Sequence, residues 1–241
     1  MVGGQVVFTR RSVCRLGTLV VAAMVMAGCG ADAPPADPAV DGPVATSMGQ
    51  RPSGFHGTLL DPPEARPTQT LRDTRGRAFS LARRPSGEVT VLFFGYTHCP
   101  DVCPTTMADL AAARAQLPPR LRDGVTVAFV TEDPARDTPT ALRRWLNRFD
   151  PSFLGLRGGN AATKAMLTQL HLPQSKRVED PQQSIKHPSG GRSHHKHRQY
   201  GVTHAGVVYA FGPGGRTVIY TGGTTPDQYA ADFARLLQAR Q

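Results

Sequence analysis

The two side chains with the clearest chemical potential in this sequence are Cys99 and Cys103, four positions apart. They lie in residues 95–104, GYTHCPDVCP, between an apolar run typical of a buried strand and a predicted helix. The free N–H groups and the dipole at a helix N-terminus stabilise an anion, so a thiol placed there has a lowered pKa. We therefore expect a reactive thiolate in this segment.

Cysteines at this spacing can close a disulfide or chelate one metal ion. In a regular helix their Cα atoms would lie ~6.2 Å apart, which a disulfide tolerates. Thiolates are soft ligands that select Cu(I) or Zn(II) over Mg or Ca, and an added imidazole would suit copper in either oxidation state. His204 precedes a predicted strand that would bring it over the helix start. His98, beside Cys99, would point away and is expected to be structural or solvated.

Apolar periodicity predicts the elements that position these residues. Strands are expected at residues 89–94, 125–130, 207–211 and 217–220. Helices are expected to follow Cys103, Thr138, Asn160 and Thr225. Cys103 is the expected N-cap of the first helix, with Pro104 at its first position. Residues 55–60 and 77–81 are expected to pair as an N-terminal β-hairpin. The order predicts an α/β, thioredoxin-like fold over residues 55–241, with a central mixed sheet flanked by helices.

Residues 1–28 are typical of a bacterial signal peptide, because arginines precede an apolar run too short to span a membrane. The paired arginines, Arg10 and Arg11, are also compatible with export by the twin-arginine route. The segment ends in a lipobox-like sequence, so Cys29 is expected to be lipidated after Cys14 is removed with the signal. Residues 29–54 are expected to be a disordered tether. The sequence thus predicts export and a lipid anchor on the outer face of the cytoplasmic membrane.

The chain carries 28 Lys and Arg against 18 Asp and Glu, a formal net charge of +10. No basic run is interleaved with aromatic residues, so a nucleic-acid partner is not expected. Six of the basic residues and four histidines fall in residues 173–200, where few residues are apolar. This stretch is predicted to be an exposed, basic, His-rich loop inserted between a helix and a hairpin.

The cysteine motif and three further segments resemble the Sco/SenC family of membrane-anchored, thioredoxin-like copper proteins. The matching segments are residues 94–106, 133–134 with 136–139, and 149–150, followed by His204 before a strand. Three residues separate the cysteines where thioredoxins have two, which makes the motif specific. The resemblance implies that Cys99, Cys103 and His204 bind one copper ion, as Cu(I) or Cu(II).

The resemblance also implies a chaperone role in assembling the binuclear copper site of cytochrome c oxidase. Its implied partners are the oxidase subunit that carries this site and a copper donor protein. The chain departs from the family pattern at Thr203, where Asp is usual, and at Glu132, where Val is usual. The long His-rich insertion, residues 187–197, is either an auxiliary copper-loading site or a solvated basic loop.

Two other interpretations of the cysteine pair remain open. A structural disulfide is disfavoured because a loop this small restrains the unfolded chain little. A thiol-disulfide oxidoreductase that reduces the copper-site cysteines of the oxidase subunit would use Cys99 and Cys103 as its redox pair. Thioredoxin-type reductants carry a proline before the strand that faces their cysteines, and Thr203 and His204 stand there instead. That difference favours metal binding.

Overall fold

Residues 54–179 and 200–238 are the part of the chain that the computed structural model describes. The predicted signal peptide (1–28) with Cys14, the predicted anchor Cys29 and the tether up to residue 53 lie outside it. The histidines of the predicted loop (187–197) lie outside it as well. The helices within the described ranges all fall short of the length and hydropathy that a membrane span requires.

Ten strands and five helices make up the described fold. The strands are β1 (Thr58–Leu59), β2 (Thr70–Asp73), β3 (Ala78–Ser80), β4 (Val89–Gly95), β5 (Val125–Thr131), β6 (Leu154–Arg157), β7 (Arg177–Glu179), β8 (Tyr200–Val202), β9 (Val208–Phe211) and β10 (Thr217–Tyr220). The helices are α1 (Val102–Gln116), α2 (Pro119–Arg122), α3 (Pro139–Leu146), α4 (Gly159–Gln169) and α5 (Pro226–Gln238).

Eight of these strands form one mixed sheet in the order β1-β10-β9-β4-β5-β6-β2-β3. Strands β4, β5 and β6 run parallel at its centre, and the flanking strands pair antiparallel. Every residue of β4 is buried, as its β-branched and aromatic run with little polar alternation predicts for a strand covered on both faces. The remaining pair, β7 and β8, forms a separate antiparallel ribbon.

The side chains of β4 alternate between two hydrophobic clusters, one on each face of the sheet. Phe93 packs in the cluster that includes buried residues of α1, α3 and α5. Leu92 and Phe94 pack in the cluster that includes α4. Helices therefore flank both faces of a central mixed sheet, which confirms the predicted α/β architecture.

The N-terminal hairpin lies elsewhere than the sequence indicates. Residues 77–81 contain β3, but its partner is β2 rather than residues 55–60. The short β1 within residues 55–60 pairs with β10 at the opposite edge of the sheet. The prediction was wrong because β2 has only one strongly apolar residue, Leu71, whose burial is set by the sheet rather than by local alternation.

Two helix starts also differ from prediction. Helix α1 begins at Val102 with Asp101 as N-cap, so Cys103 is the second helical residue and not the cap. Helix α4 begins at Gly159 after Gly158, which places Asn160 inside the helix. By contrast, α3 follows Thr138 as predicted, and the Thr138 side-chain oxygen caps it by accepting a hydrogen bond from the backbone N–H of Ala141.

Helix α5 follows Thr225 as predicted, and a capping box closes its first turn. The Thr225 hydroxyl accepts from the Gln228 N–H, and the Gln228 side chain accepts from the Thr225 N–H. The predicted loop over residues 173–200 contains regular structure at its ends, because β7 pairs with β8. This ribbon leads directly to His204.

Candidate metal centre

The two cysteines lie where the chain leaves the sheet and enters α1. Cys103 is in the first turn of α1 and is fully buried, whereas Cys99 lies in the preceding turn with its N–H donated to the Tyr96 carbonyl at 3.2 Å. Both thiols are unbridged. Gly95 makes room for the buried Cys103 thiol, since a Cβ there would come within 2.5 Å of its sulfur.

His204 reaches the cysteine pair from the connection between β8 and β9. Its Nε2 atom lies 3.5 Å from the Sγ of Cys99 and 3.5 Å from the Sγ of Cys103. All three ligand atoms lie within 4.8 Å of one another. The ring stands edge-on to Phe93 and Tyr96, with centroid distances of 6.2 and 5.8 Å. The structure thus brings together all three residues that the sequence singled out, although His204 follows Cys103 by 101 positions.

Only one of the two sulfurs is disposed to carry a negative charge. A hydrogen bond from the Cys103 thiol, together with contacts from His204 and the Cys103 backbone N–H, holds the pKa of Cys99 far below its ordinary value. The same thiol–thiolate hydrogen bond and deep burial raise the pKa of Cys103. Cys99 is therefore the expected thiolate. It precedes α1, and its sulfur accepts a hydrogen bond from the backbone N–H of Cys103 at the start of that helix.

The segment 133–139, part of the sequence resemblance, holds the cysteine turn in place. The fully buried Asp137 accepts hydrogen bonds from the Thr97 N–H at 3.1 Å and from the Thr97 and Thr131 hydroxyls, each at 2.6 Å. His98 lies outside the sulfur pair, as expected. Its side chain is 54% exposed, with Nδ1 3.1 Å from the Thr97 hydroxyl.

A second cluster attaches the β7–β8 ribbon, and with it His204, to the body of the domain. The Arg136 guanidinium pairs with the Asp133 carboxylate, donates to the Tyr200 carbonyl at 2.9 Å and lies 3.6 Å over the Tyr200 ring. The Tyr200 hydroxyl donates to Asp133 at 2.7 Å. Tyr200 was not predicted from the sequence because it ends a stretch whose composition is that of a polar loop.

The two positions that depart from the family pattern have different surroundings. Thr203 faces the ribbon, where its N–H donates to the Lys176 carbonyl and its hydroxyl accepts from the Lys176 N–H. Glu132 follows β5 and points inward, with Oε1 accepting from the Ser175 hydroxyl at 2.5 Å. Burial raises the pKa of Glu132. No local pattern around Glu132 indicates that its side chain turns inward toward Ser175.

The donor set suits a soft metal ion. Two sulfur ligands and one imidazole nitrogen are the atoms that copper and zinc prefer, and no carboxylate among the described residues joins this cluster. The site opens on one side to a cleft of about 420 Å³ whose walls include Asp101, Val102 and His204. Val102, the residue before Cys103, is 45% exposed, so one wall of this cleft presents an apolar side chain to solvent.

Comparison of the chain with known protein families identifies the family to which it belongs. The SCO1/SenC family model matches residues 60–238, which is most of the chain. The chain belongs to the SCO1/SenC family. The match extends from just after β1 to the last residue of α5, so the cysteine turn, the ribbon and His204 are all parts of the family's domain.

Individual SCO1/SenC relatives agree with this assignment. A Stutzerimonas stutzeri protein named for copper binding is 32% identical over 157 residues, covering 65% of this chain and 69% of that protein. The Rickettsia conorii SCO2-like protein is 34% identical over 94 residues, covering 39% of this chain and 45% of the relative. The chain therefore matches less than half the length of that relative.

A solved structure of the family also resembles this chain. Bradyrhizobium japonicum ScoI, described with copper bound, superposes with a TM-score of 0.56 at 31% sequence identity. The match covers 70% of this chain and 97% of ScoI. The thioredoxin-like fold of the family is thus the fold of this chain, as the order of its elements predicts.

Proposed function

We propose that this SCO1/SenC protein is a membrane-anchored copper chaperone that carries one copper ion on Cys99, Cys103 and His204. The observation that supports the proposal most strongly is the convergence of the two sulfurs and the His204 Nε2 within 4.8 Å of one another. The names of its relatives, one described as copper-binding and one with copper bound, support copper over zinc as the cargo.

The unequal burial of the ligands gives a direction to copper transfer. Cys99 is 9% exposed and His204 is partly exposed beside the open cleft, whereas Cys103 is fully buried under Gly95. An incoming thiolate or imidazole from a recipient can therefore replace His204 or Cys99 first. Cys103 releases the ion last, so the exchange keeps copper bound to sulfur throughout.

We propose that the recipient is the subunit of cytochrome c oxidase that carries the binuclear copper site, and that a separate donor protein loads the chain. The lipidation of Cys29 and a tether over residues 29–54 would keep the domain on the outer face of the cytoplasmic membrane. Family membership supports these partners. Labelling with radioactive palmitate, with Cys29→Ser as the unlabelled control, tests the anchor.

Metal content of the purified full-length protein tests the proposed cargo. The wild-type protein should bind one copper ion per chain after reduction, and Cys99→Ala, Cys103→Ala and His204→Ala should each weaken binding by about tenfold or more. His98→Ala is the matched control, because His98 adjoins the motif but lies outside the sulfur pair. Tight binding that persists in all three ligand variants would contradict the proposal.

The second candidate function is a thiol-disulfide oxidoreductase acting on the copper-site cysteines of the oxidase subunit. It is favoured by the stabilised Cys99 thiolate at the start of α1, which is a competent nucleophile. The midpoint potential of the Cys99–Cys103 pair discriminates the two roles. A strongly reducing potential, together with full activity of His204→Ala in oxidase assembly, would favour the reductase.

A further inference from the structure

The imidazole of His204 packs against two aromatic rings beside the sulfurs. Its ring centroid lies 5.8 Å from that of Tyr96 and 6.2 Å from that of Phe93, with interplanar angles of 78° and 87°. Tyr96 is 5% exposed and Phe93 is fully buried, so both contacts are shielded from water. Edge-to-face ring pairs of this kind are favourable beyond the apolar area that they bury.

The second ring nitrogen of His204 supplies no hydrogen bond that would orient the ring within the described ranges. Histidines that ligate a metal usually fix their ring by donating the N–H that faces away from the metal to a carboxylate, a carbonyl or a water. The Nδ1 atom of His204 is shielded from solvent and has no hydrogen-bond partner among the described residues. In this part of the chain, ring packing is therefore what orients the imidazole against the sulfurs.

Tyr96 differs from Phe93 because it also belongs to the turn that carries Cys99. Its carbonyl accepts the Cys99 N–H at 3.2 Å, so one residue contacts a sulfur ligand through its backbone and the imidazole ligand through its ring. Phe93 lies within β4, and the sheet sets its position. Substitution of the Tyr96 side chain therefore removes a ring contact to His204 while leaving the backbone acceptor for Cys99 in the chain.

The Tyr96 ring is itself held from the side of the ribbon. The Arg136 guanidinium lies 5.8 Å from the centre of the Tyr96 ring and 3.6 Å from the centre of the Tyr200 ring. A Cβ on Gly201 in β8 would stand 3.9 Å from the Tyr96 hydroxyl. Cation–π and van der Waals contacts thus fix the ring between the cysteine turn and the strand that leads to His204.

We propose that Tyr96 is a positioning residue of the copper site: its ring packs on the His204 imidazole and holds that ligand against the two sulfurs. This inference rests on the proposed copper function. A ligand that is already oriented loses less conformational freedom when it binds, so a loosened imidazole weakens the affinity for the ion. The packing uses the ring and not the hydroxyl, so phenylalanine should replace tyrosine without loss.

The test compares Tyr96→Leu with Tyr96→Phe in the full-length protein. Leu keeps an apolar side chain but removes the ring, whereas Phe keeps the ring. Phe153→Leu is the matched control, because Phe153 is fully buried in the same hydrophobic cluster and makes no ring contact with His204 within the described ranges. Affinity for Cu(I) against a competing chelator, the electron paramagnetic resonance spectrum of the Cu(II) form and thermal unfolding are measured for each protein.

We expect Tyr96→Leu to lower copper affinity about fivefold to tenfold, the effect of losing one aromatic pair, and to change the Cu(II) spectrum. Tyr96→Phe should keep the spectrum and stay within about twofold of the wild-type affinity. Phe153→Leu should lower the unfolding temperature but leave affinity and spectrum near those of the wild-type protein. Wild-type affinity in Tyr96→Leu, or an equal loss of affinity in Phe153→Leu, would overturn the proposal.

Two measurements on the copper-free protein separate this inference from the proposed function. Diethyl pyrocarbonate modifies accessible imidazoles, and its reaction with His204, followed by peptide mass spectrometry, should be severalfold faster in Tyr96→Leu than in Tyr96→Phe. Nuclear Overhauser contacts between the Tyr96 and His204 rings should be present in the wild-type protein, a result that requires no variant to fold.

These results distinguish a failure of the copper function from a failure of the packing role. A wild-type protein that binds no copper but shows both results would contradict the proposed function and leave the packing of Tyr96 on His204 standing. Equal reaction of His204 in the two variants, or an absence of ring contacts in the wild-type protein, would overturn the packing role whatever the metal content.

Discussion

The carboxylate of Asp137 accepts hydrogen bonds from both the backbone N–H and the hydroxyl of Thr97, 40 positions earlier in the chain. Asp137 is fully buried, so these bonds are not exchanged with water. Thr97 begins the turn that carries Cys99, and the acid that fixes this turn comes from the loop after β5. The position of the cysteine turn is therefore set by a distant part of the sequence.

Replacing Asp137 with Ala should destabilise the protein and loosen the cysteine turn. Three hydrogen bonds to a buried carboxylate are lost, and the donors of Thr97 and Thr131 are left unpaired. We expect the free energy of unfolding to fall by about 3 kcal/mol or more, measured by urea denaturation. Asp123→Ala, on an exposed side chain, is the control and should change stability by less than about 0.5 kcal/mol. Equal stability of the two variants would contradict this role.

Gly95→Ala should disturb the buried sulfur directly. The added Cβ would lie 2.5 Å from the Cys103 Sγ and 3.2 Å from the Phe129 ring, so Cys103 must move. Such overpacking costs about 1–3 kcal/mol, and copper affinity should fall about tenfold or more with it. Isothermal titration with Cu(I) under a competing chelator measures the affinity, and thermal unfolding measures the stability.

Gly201→Ala is the matched control for that substitution. Gly201 lies in β8, close to the site, but a Cβ there would meet nothing nearer than 3.9 Å among the described residues. Its stability and copper affinity should remain near those of the wild-type protein. A Gly95→Ala protein as tolerant as Gly201→Ala would show that the sulfur can be displaced without consequence.

The Tyr200 hydroxyl should affect copper binding through His204 more than its contribution to the stability of the fold suggests. Tyr200→Phe removes the 2.7 Å hydrogen bond to Asp133 that helps to attach the β7–β8 ribbon. We expect a loss of about 1 kcal/mol in stability and a severalfold loss of copper affinity. Tyr209→Phe is the control, since it loses a comparable 2.6 Å bond to the Leu170 carbonyl away from the site. It should lose stability but not copper affinity.

Alkylation of the reduced, metal-free protein should distinguish the two cysteines. The lowered pKa of Cys99 keeps it a thiolate through the neutral and mildly acidic range, while the raised pKa of Cys103 keeps it a thiol. We expect iodoacetamide to modify Cys99 first, at a rate that changes little between about pH 5 and 8. Peptide mass spectrometry identifies the modified residue. First modification at Cys103, or a rate that climbs with pH throughout this range, would be inconsistent with the assignment.

Local sequence pattern was sufficient for much of the fold and for the ligand residues. The runs rich in β-branched and apolar residues that form β4 and β5 specify buried central strands, and the spacing of Cys99 and Cys103 by itself indicates a disulfide or a metal site. Strand β6, LGLR, was not predicted because it is short and contains Gly155. Its strand conformation depends on pairing with β5, which local periodicity does not reveal.

The residues around the ligands were harder to predict, because their roles arise from contacts between distant segments. Asp133 meets Tyr200 across 67 positions, and Ser175 meets Glu132 across 43. Each of these side chains has an ordinary polar setting in the sequence alone. Glu132 in particular follows a strand, where a solvent-exposed acid would be equally common. Its inward orientation depends on the assembled sheet and the returning ribbon.

The separation of His204 from the cysteines also has a mechanical consequence. A bond between Cys99 and Cys103 ties together only neighbouring turns of the chain, whereas an ion that also holds His204 would cross-link segments 101 positions apart. The restraint that such a link places on the unfolded chain grows with the length of the loop it closes. Release of the ion would therefore remove this cross-link from the fold. The copper-free protein should then unfold and be proteolysed more readily than the copper-bound one.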